Sequence, residues 1–142
     1  MAEKPVVVLD TNVFVSGLIS SNGAPGAVLR RFRQGDFDIV TSREQIKEIQ
    51  DVLQRPSLSR ALPKGTAKEV LKFFLAFKRM TKVLPSVPAL QWDFEDPGDF
   101  FILDLIVHSK ADFLITGDKK LRSLLFVQDT FVVTPVEFLG RL

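Results

Sequence analysis

The sequence contains no cysteine and no tyrosine, and its only histidine is His108. Without cysteine, the chain has no disulfide, no thiolate nucleophile and no zinc site built on sulfur. No stretch approaches the roughly 18 consecutive apolar residues that a membrane-spanning helix needs. The first apolar run is too short for a signal peptide. We therefore expect a soluble, cytoplasmic protein that does not associate with membranes.

What is present is the composition of a globular domain. The 142 residues are 46% hydrophobic and 25% charged, which supplies enough apolar sequence for a buried core. This length is common for one domain, so we expect residues 1–142 to form a single unit. The formal net charge of +2 is only a weak indication of an anionic partner.

Short apolar runs alternate with helical patterns along the chain. Runs rich in β-branched residues predict strands at 6–9, 37–40, 81–84, 113–116 and 131–133. Apolar residues at helical spacing predict helices at 13–19, 24–34, 42–56, 66–80, 99–109 and 119–124, with a last helix near the C-terminus. This alternation predicts an α/β fold with a mostly parallel sheet of four to five strands.

Three predicted helices begin with the signature of a capping box, in which a hydroxyl residue is followed three positions later by Glu or Gln. The pairs are Ser42 with Gln45, Thr66 with Glu69, and Thr134 with Glu137.

Acidic side chains follow several of these strands. Asp10 comes directly after the first strand, Glu48 lies on the helix after the second, and Asp118 follows the fourth. Because ligands of open parallel sheets bind beyond the carboxyl ends of the strands, Asp10 and Asp118 are expected at one edge. Asp99 begins the helix that leads into the fourth strand. It is therefore expected at the opposite edge unless the start of this helix reaches over.

Carboxylates that lie close together repel one another, and a hard divalent cation relieves that repulsion. Such a site is suited to hydrolysis at phosphorus. Each acid also has a structural explanation. Asp10 and Asp118 both stand where a residue commonly caps a helix. Glu48 lies on a helix, where such a side chain is commonly exposed to solvent. Asp96 and Asp99 flank a Pro-Gly pair that is typical of a turn.

Four segments that carry these acids resemble the motifs of the PIN-domain family, and most closely the toxins of prokaryotic type II toxin–antitoxin systems. They are LDTNVFVSGL (9–18), TSREQIKEIQDVLQRP (41–56), EDPGDFFILDL (95–105) and ADFLITGDKKL (111–121). The resemblance covers nearly the whole chain. It implies a PIN-like three-layer α/β/α sandwich, acids that bind Mg²⁺ or Mn²⁺, and endonuclease activity on single-stranded RNA.

Carried over residue by residue, the resemblance implies four catalytic acids, which are Asp10, Glu48, Asp99 and Asp118. Of these, Asp10 and Asp99 are expected to bind metal directly. Asp118 and Glu48 are expected to bind it through water or to orient the attacking water. Asn12 and Thr116 match polar residues that support the acids. The resemblance also places the start of the Asp99 helix at the site.

The third motif departs from the family pattern. It often carries two adjacent acids, whereas here Gly98 precedes Asp99. Asp96 and Asp104 are therefore further candidates for contact with metal, and we favour Asp99.

Basic residues exceed the remaining acids once the four site acids are set aside. Thirteen acids then stand against 19 basic residues, a surplus of +6 that suits a phosphate backbone. The basic clusters are Arg30, Arg31 and Arg33; Arg43, Lys47, Arg55 and Arg60; and Lys119, Lys120 and Arg122. We expect Arg43 and Lys119 to contact RNA, since they lie nearest the acids in sequence.

Phe73, Phe74 and Phe77 recur at helical spacing, which favours core packing. A second apolar face on the same helix suits a second copy, in a homodimer, or a cognate antitoxin protein. For His108, which lies beside apolar residues, we expect a structural role.

Two other functions fit parts of the pattern. A catalytically silent PIN domain would bind RNA or protein without cleaving it, and the retained acids argue against this. A haloacid-dehalogenase-like phosphatase also places Asp after its first strand. That group needs a second acid two residues later, where this chain has Asn12.

Overall fold

The computed structural model describes residues 3–142, in which strands and helices alternate as the sequence predicts. The strands are β1 (Val6–Leu9), β2 (Asp38–Ser42), β3 (Lys82–Leu84), β4 (Phe113–Ile115), β5 (Phe126–Val127) and β6 (Thr130–Val133). The helices are α1 (Thr11–Ile19), α2 (Gly23–Arg33), α3 (Arg43–Leu53), α4 (Pro56–Ala61), α5 (Thr66–Met80), α6 (Phe100–Ser109), α7 (Lys119–Arg122) and α8 (Pro135–Leu139).

The strands form one sheet in the order β3-β2-β1-β4-β6-β5. All neighbours are parallel except β5 and β6, which form an antiparallel pair. The chain builds outward from β1 on one side through β2 and β3, and then returns to the other side of β1 with β4. The order therefore reverses between β1 and β4, and such a switch point is where open α/β sheets bind ligands.

Apolar side chains pack on both faces of the sheet. Val7 and Leu9 of β1 point into a core shared with α1, α2, α3, α5 and α8. Val8, between them, points into a second core shared with α6 and α7. All three side chains are completely buried, as expected for a central parallel strand. This arrangement confirms the predicted three-layer α/β/α sandwich.

Two elements were not predicted. We expected Pro56 to end the preceding helix, but α3 ends at Leu53 and Pro56 begins the separate helix α4. Proline is well tolerated at a first helical position, since the missing N–H has no partner there. Strand β5 has only two residues, too few for a periodic signal, and with it the sheet has six strands rather than four to five.

The three predicted capping boxes have different outcomes. The box at Thr134 and Glu137 is complete. At Ser42, the hydroxyl accepts from the Gln45 backbone N–H at 3.1 Å, as predicted. The box at Thr66 is wrong, because Thr66 is already helical and Gly65, at φ 85°, is the capping residue.

The phenylalanines of α5 divide between the core and the surface. Phe74 and Phe77 are buried against Phe14, which confirms core packing for these two. Phe73 is 52% exposed, so core packing is wrong for this residue. None of the helices within residues 3–142 is long and apolar enough to span a membrane.

Candidate metal centre

The register of β1 and β4 brings Asp10 and Thr116 side by side. Leu9 pairs with Ile115, so the residues that follow these two strands leave the sheet together. The Asp10 backbone N–H continues the ladder by donating to Ile115 O at 2.9 Å. The Thr116 hydroxyl then donates to Asp10 Oδ2 at 2.8 Å. Both side chains are buried, so their relative position is fixed by the sheet itself.

The Thr116 hydroxyl also connects Asp10 to Asp118. Its oxygen accepts from the Asp118 backbone N–H at 3.0 Å, while its proton goes to Asp10. Asp118 caps α7 by accepting from the Lys120 N–H at 3.0 Å through Oδ1. The structural explanation of Asp118 as a helix cap is therefore correct. The cap uses oxygen Oδ1 of the carboxylate. Asp118 also lies beside Asp10, so the same carboxylate can take a second role there.

Burial raises the pKa of the Asp10 carboxyl. The Thr116 hydrogen bond acts in the opposite direction, and the negative charge of Asp118 raises the pKa further. Backbone N–H groups of Asn12 and Thr11 also stabilise the charged form. The Asn12 side chain is exposed and forms no hydrogen bond within residues 3–142, so its predicted support of Asp10 stays a prediction.

Glu48 reaches the same edge of the sheet from α3. The Thr11 hydroxyl donates to Glu48 Oε2 at 3.3 Å, which joins the start of α1 to α3. Burial raises the pKa of Glu48, the Thr11 hydrogen bond lowers it, and the charge of Asp10 raises it. The charge of Arg55 lowers it. Thr11 was not predicted to contribute, although its place directly after Asp10 was a usable signal.

Gln45 is a second buried polar residue that sequence reasoning missed. Its side chain is completely buried, and Nε2 donates to the carbonyl of Leu9, the residue before Asp10. The capping-box pattern predicted a contact at the helix start instead. Gln45 therefore ties α3, which carries Glu48, to the end of β1.

Asp99 is the last residue of a short 3₁₀ turn, Pro97–Asp99, that leads directly into α6. Burial raises the pKa of Asp99 to about 6, assisted by the charges of Asp10, Asp96, Asp118 and Glu48. The carboxylate oxygen Oδ2 of Asp99 is buried and has no hydrogen-bond partner in the part of the chain that the structure describes. These charge effects favour the expectation that the start of this helix reaches the site over the alternative at the opposite edge.

The two further candidates of the third motif make other contacts. Asp96 Oδ1 accepts from the Gly98 N–H at 3.1 Å and so shapes the turn before Asp99. Asp104 is buried, and its Oδ1 accepts from Leu90 N at 3.0 Å and from Trp92 Nε1 at 2.7 Å. These bonds hold the segment at 85–96 against α6. We therefore leave Asp104 out of the candidate set.

His108 helps to hold the same segment, as its Nε2 lies 3.1 Å from the carbonyl oxygen of Pro88. This contact agrees with the structural role that was predicted for it.

Arg43 and Lys119 occupy the first positions of α3 and α7, close in sequence to Glu48 and Asp118. Both side chains are exposed, and neither forms an ion pair with any residue described by the structure. Within the same basic clusters, Arg31 pairs with Asp36 and Lys120 with Glu95. Arg43 and Lys119 are thus free to meet an anionic ligand, which their predicted role requires.

The acidic set suits a divalent cation in its chemistry. Within residues 3–142, no group of three or more histidine or acidic side chains is close enough together to hold an ion. Carboxylates without a cation repel one another, which favours such wider spacing. The set offers oxygen ligands only, and Asp99 Oδ2 is buried without a hydrogen-bond partner among the residues that the structure describes. These features fit Mg²⁺ or Mn²⁺, which prefer carboxylate oxygens.

Comparison with known proteins identifies the family. The sequence pattern of the PIN domain matches residues 6–120. The chain is also 36% identical over 119 residues to an uncharacterized protein of Methanocaldococcus jannaschii, covering 83% of this chain and 74% of that relative. PIN domains are generally nucleases and usually use divalent metal ions, so the matches support a nuclease-like role. Because the PIN-domain pattern matches most of the chain, this chain belongs to the PIN-domain family.

Proposed function

We propose that this protein is a metal-dependent endoribonuclease that cleaves single-stranded RNA. Four acids from separate segments of the chain influence one another's charge, which supports this function most directly. The charges of the other acids help to raise the pKa of Asp99 to about 6. Perturbed carboxylates of this kind cluster at functional sites.

Asp10, Asp99 and Asp118 would hold Mg²⁺ or Mn²⁺, with Glu48 beside them. When bound, the cation stabilises negative charge that develops at phosphorus and lowers the pKa of water. The chain's own contribution is to fix the acids in place. Thr116 holds Asp10 and the backbone of Asp118 through one hydroxyl. The Thr11 hydroxyl donates a hydrogen bond to Glu48, for which we propose the role of orienting the attacking water.

Arg43 and Lys119 are proposed to contact the RNA backbone near the cleaved bond. Their exposed side chains at the starts of α3 and α7, which form no ion pair with any described residue, support this role. Neutralising phosphate charge would make binding weaken as salt concentration rises.

We further propose that the protein is the toxin of a toxin–antitoxin pair, with a homodimer as its working form. The exposed Phe73, Leu75 and Met80 on α5 supply apolar surface for such contacts. A short open reading frame directly upstream would support a cognate antitoxin, and its absence from the genome neighbourhood would argue against one. Analytical ultracentrifugation of wild type and Phe73→Ser tests the homodimer.

The activity is tested by incubating labelled single-stranded RNA, double-stranded RNA and single-stranded DNA with the protein and Mn²⁺ or Mg²⁺. We expect internal cleavage of single-stranded RNA that EDTA stops. Binding of RNA without cleavage under all conditions would support the catalytically silent PIN domain instead.

A further inference from the structure

A cleft of about 440 Å³ opens on one side of the acids. Two of its lining residues are Asp10 and Asp118, and the cleft continues from them along the exposed side of α1. Its volume lies in the range of about 300–1,000 Å³ that is usual for sites binding small molecules. Its other lining residues Val13, Ser16, Pro25, Gly117 and Pro135 have no role in the chemistry described above.

The walls of the cleft are apolar and uncharged beyond the two acids. Val13 of α1, Pro25 of α2 and Pro135 of α8 form these walls. Among the described residues that line the cleft, none is lysine or arginine. A phosphate group would therefore find no positive charge here, whereas a flat, neutral group would be accommodated between the apolar side chains.

Two uncharged polar side chains face the same space. Asn12 and Ser16 lie one turn apart on α1, so they share one side of the helix. Both are exposed, and the side chains of both lack hydrogen-bond partners anywhere in residues 3–142. An amide offers a donor and an acceptor, and a hydroxyl offers both, which is the chemistry that reads the edge of a base.

We propose that this cleft is a nucleobase-binding subsite for the nucleotide next to the cleaved phosphate. The base lies between Val13, Pro25 and Pro135, while Asn12 and Ser16 bond to its edge. This assignment rests on the proposed function, because the cleaved bond would lie at Asp10 and Asp118, at one end of the cleft. It predicts that cleavage prefers one base, or one class of base, at a position flanking the cut.

The subsite is tested without catalysis by titrating metal-free, ¹⁵N-labelled protein with adenosine, guanosine, cytidine or uridine. We expect at least one nucleoside to shift the amide signals of Val13, Ser16 and Gly117 in a saturable way. Ser16→Phe fills the cleft and should weaken this binding at least tenfold. Ser59→Phe places the same side chain on the exposed side of α4 and should leave binding unchanged.

Absence of saturable shifts at these amides up to about 10 mM nucleoside would overturn the subsite. So would shifts that remain unchanged in Ser16→Phe. Ser16→Ala removes the hydroxyl alone and should weaken nucleoside binding relative to wild type. If Ser16→Phe fails to fold, an unchanged affinity in Ser16→Ala would overturn the subsite.

A second measurement connects the subsite to cleavage. Sequencing the ends produced from a random RNA pool should show a base preference beside the cut that Ser16→Ala reduces and Ser59→Ala leaves intact. Cleavage with no flanking preference would overturn the subsite while the proposed function stands. Nucleoside binding without RNA cleavage would support the subsite and count against the proposed function.

Discussion

Replacing Asp99 by asparagine is expected to stabilise the metal-free protein and to abolish its activity. The wild-type carboxyl has a pKa of about 6 in the folded protein against an ordinary value of 3.8. The folded state therefore disfavours the charged form. The amide in Asp99→Asn keeps the shape of the side chain and removes the charge that burial and the neighbouring acids oppose.

The size of this effect follows from the shift in pKa. The difference between the folded pKa of about 6 and the ordinary value of 3.8 corresponds to roughly 3 kcal/mol, at 1.36 kcal/mol for each pKa unit. Since the carboxyl is partly exposed, solvent screening lowers the penalty to about 1–2 kcal/mol. In a domain of this length, we expect Asp99→Asn to raise the melting temperature by about 3–8 °C at pH 7.5 in EDTA.

The free-energy penalty of the Asp99 charge in the folded state grows as the pH rises. Below the unfolded pKa near 3.8, Asp99 is protonated in both states and costs nothing. As the pH rises, ionisation destabilises the folded state, and the full penalty is reached above the folded pKa of about 6. The advantage of Asp99→Asn should therefore fall to about half at pH 5.

Thermal unfolding of wild type and Asp99→Asn at pH 5 and pH 7.5 measures these differences. Asp104→Asn is the matched control, because its carboxylate accepts two hydrogen bonds in the core. Bonds to a charged acceptor are the stronger ones, so this variant should lose about 1–2 kcal/mol. The reasoning is refuted if Asp99→Asn is less stable than wild type at pH 7.5 without metal.

Other variants test separate parts of the structure. Thr116→Val removes the hydroxyl shared by Asp10 and Asp118 and should lower Mn²⁺ affinity or activity about 10–100-fold, whereas an unchanged affinity would mean that Thr116 serves packing alone. Mn²⁺ at 100 times its Kd should stabilise wild type by about 2.7 kcal/mol in thermal unfolding, and an equal gain in Asp10→Asn would place the ion elsewhere. Thr134→Ala breaks a complete capping box and should cost about 0.5–2 kcal/mol in denaturant unfolding without slowing cleavage; a loss of activity would contradict a purely structural role. Phe14→Ala should cost about 3–5 kcal/mol, because Phe14 is fully buried, and a smaller loss would show that the core collapses into the space.

Elements with a strong local signal could be predicted from the sequence. The buried strands are continuous apolar runs, and the order of strands and helices follows from them. Pairing across the sheet then places Asp10 beside Thr116, since each directly follows its strand. The predicted fold class is correct for this reason.

Features that depend on tertiary contacts could not be predicted. The pattern around Gln45 indicated a helix cap, yet its side chain bonds to the Leu9 carbonyl across the structure. Asp104 and Asp99 lie in one motif and look alike in sequence. Only packing separates them: Leu90 and Trp92 bond to Asp104, whereas Asp99 Oδ2 has no hydrogen-bond partner among residues 3–142.

Cleavage of single-stranded RNA at a range of Mn²⁺ concentrations tests the proposed metal centre most directly, using wild type and matched amide variants. We predict that Asp10→Asn, Glu48→Gln, Asp99→Asn and Asp118→Asn each lose at least about 100-fold in rate, equivalent to 2.7 kcal/mol or more. Asp104→Asn, measured below its melting temperature, should cleave at close to the wild-type rate. Wild-type cleavage by Asp10→Asn or Asp99→Asn, or an equally large loss in Asp104→Asn, would contradict the proposed centre.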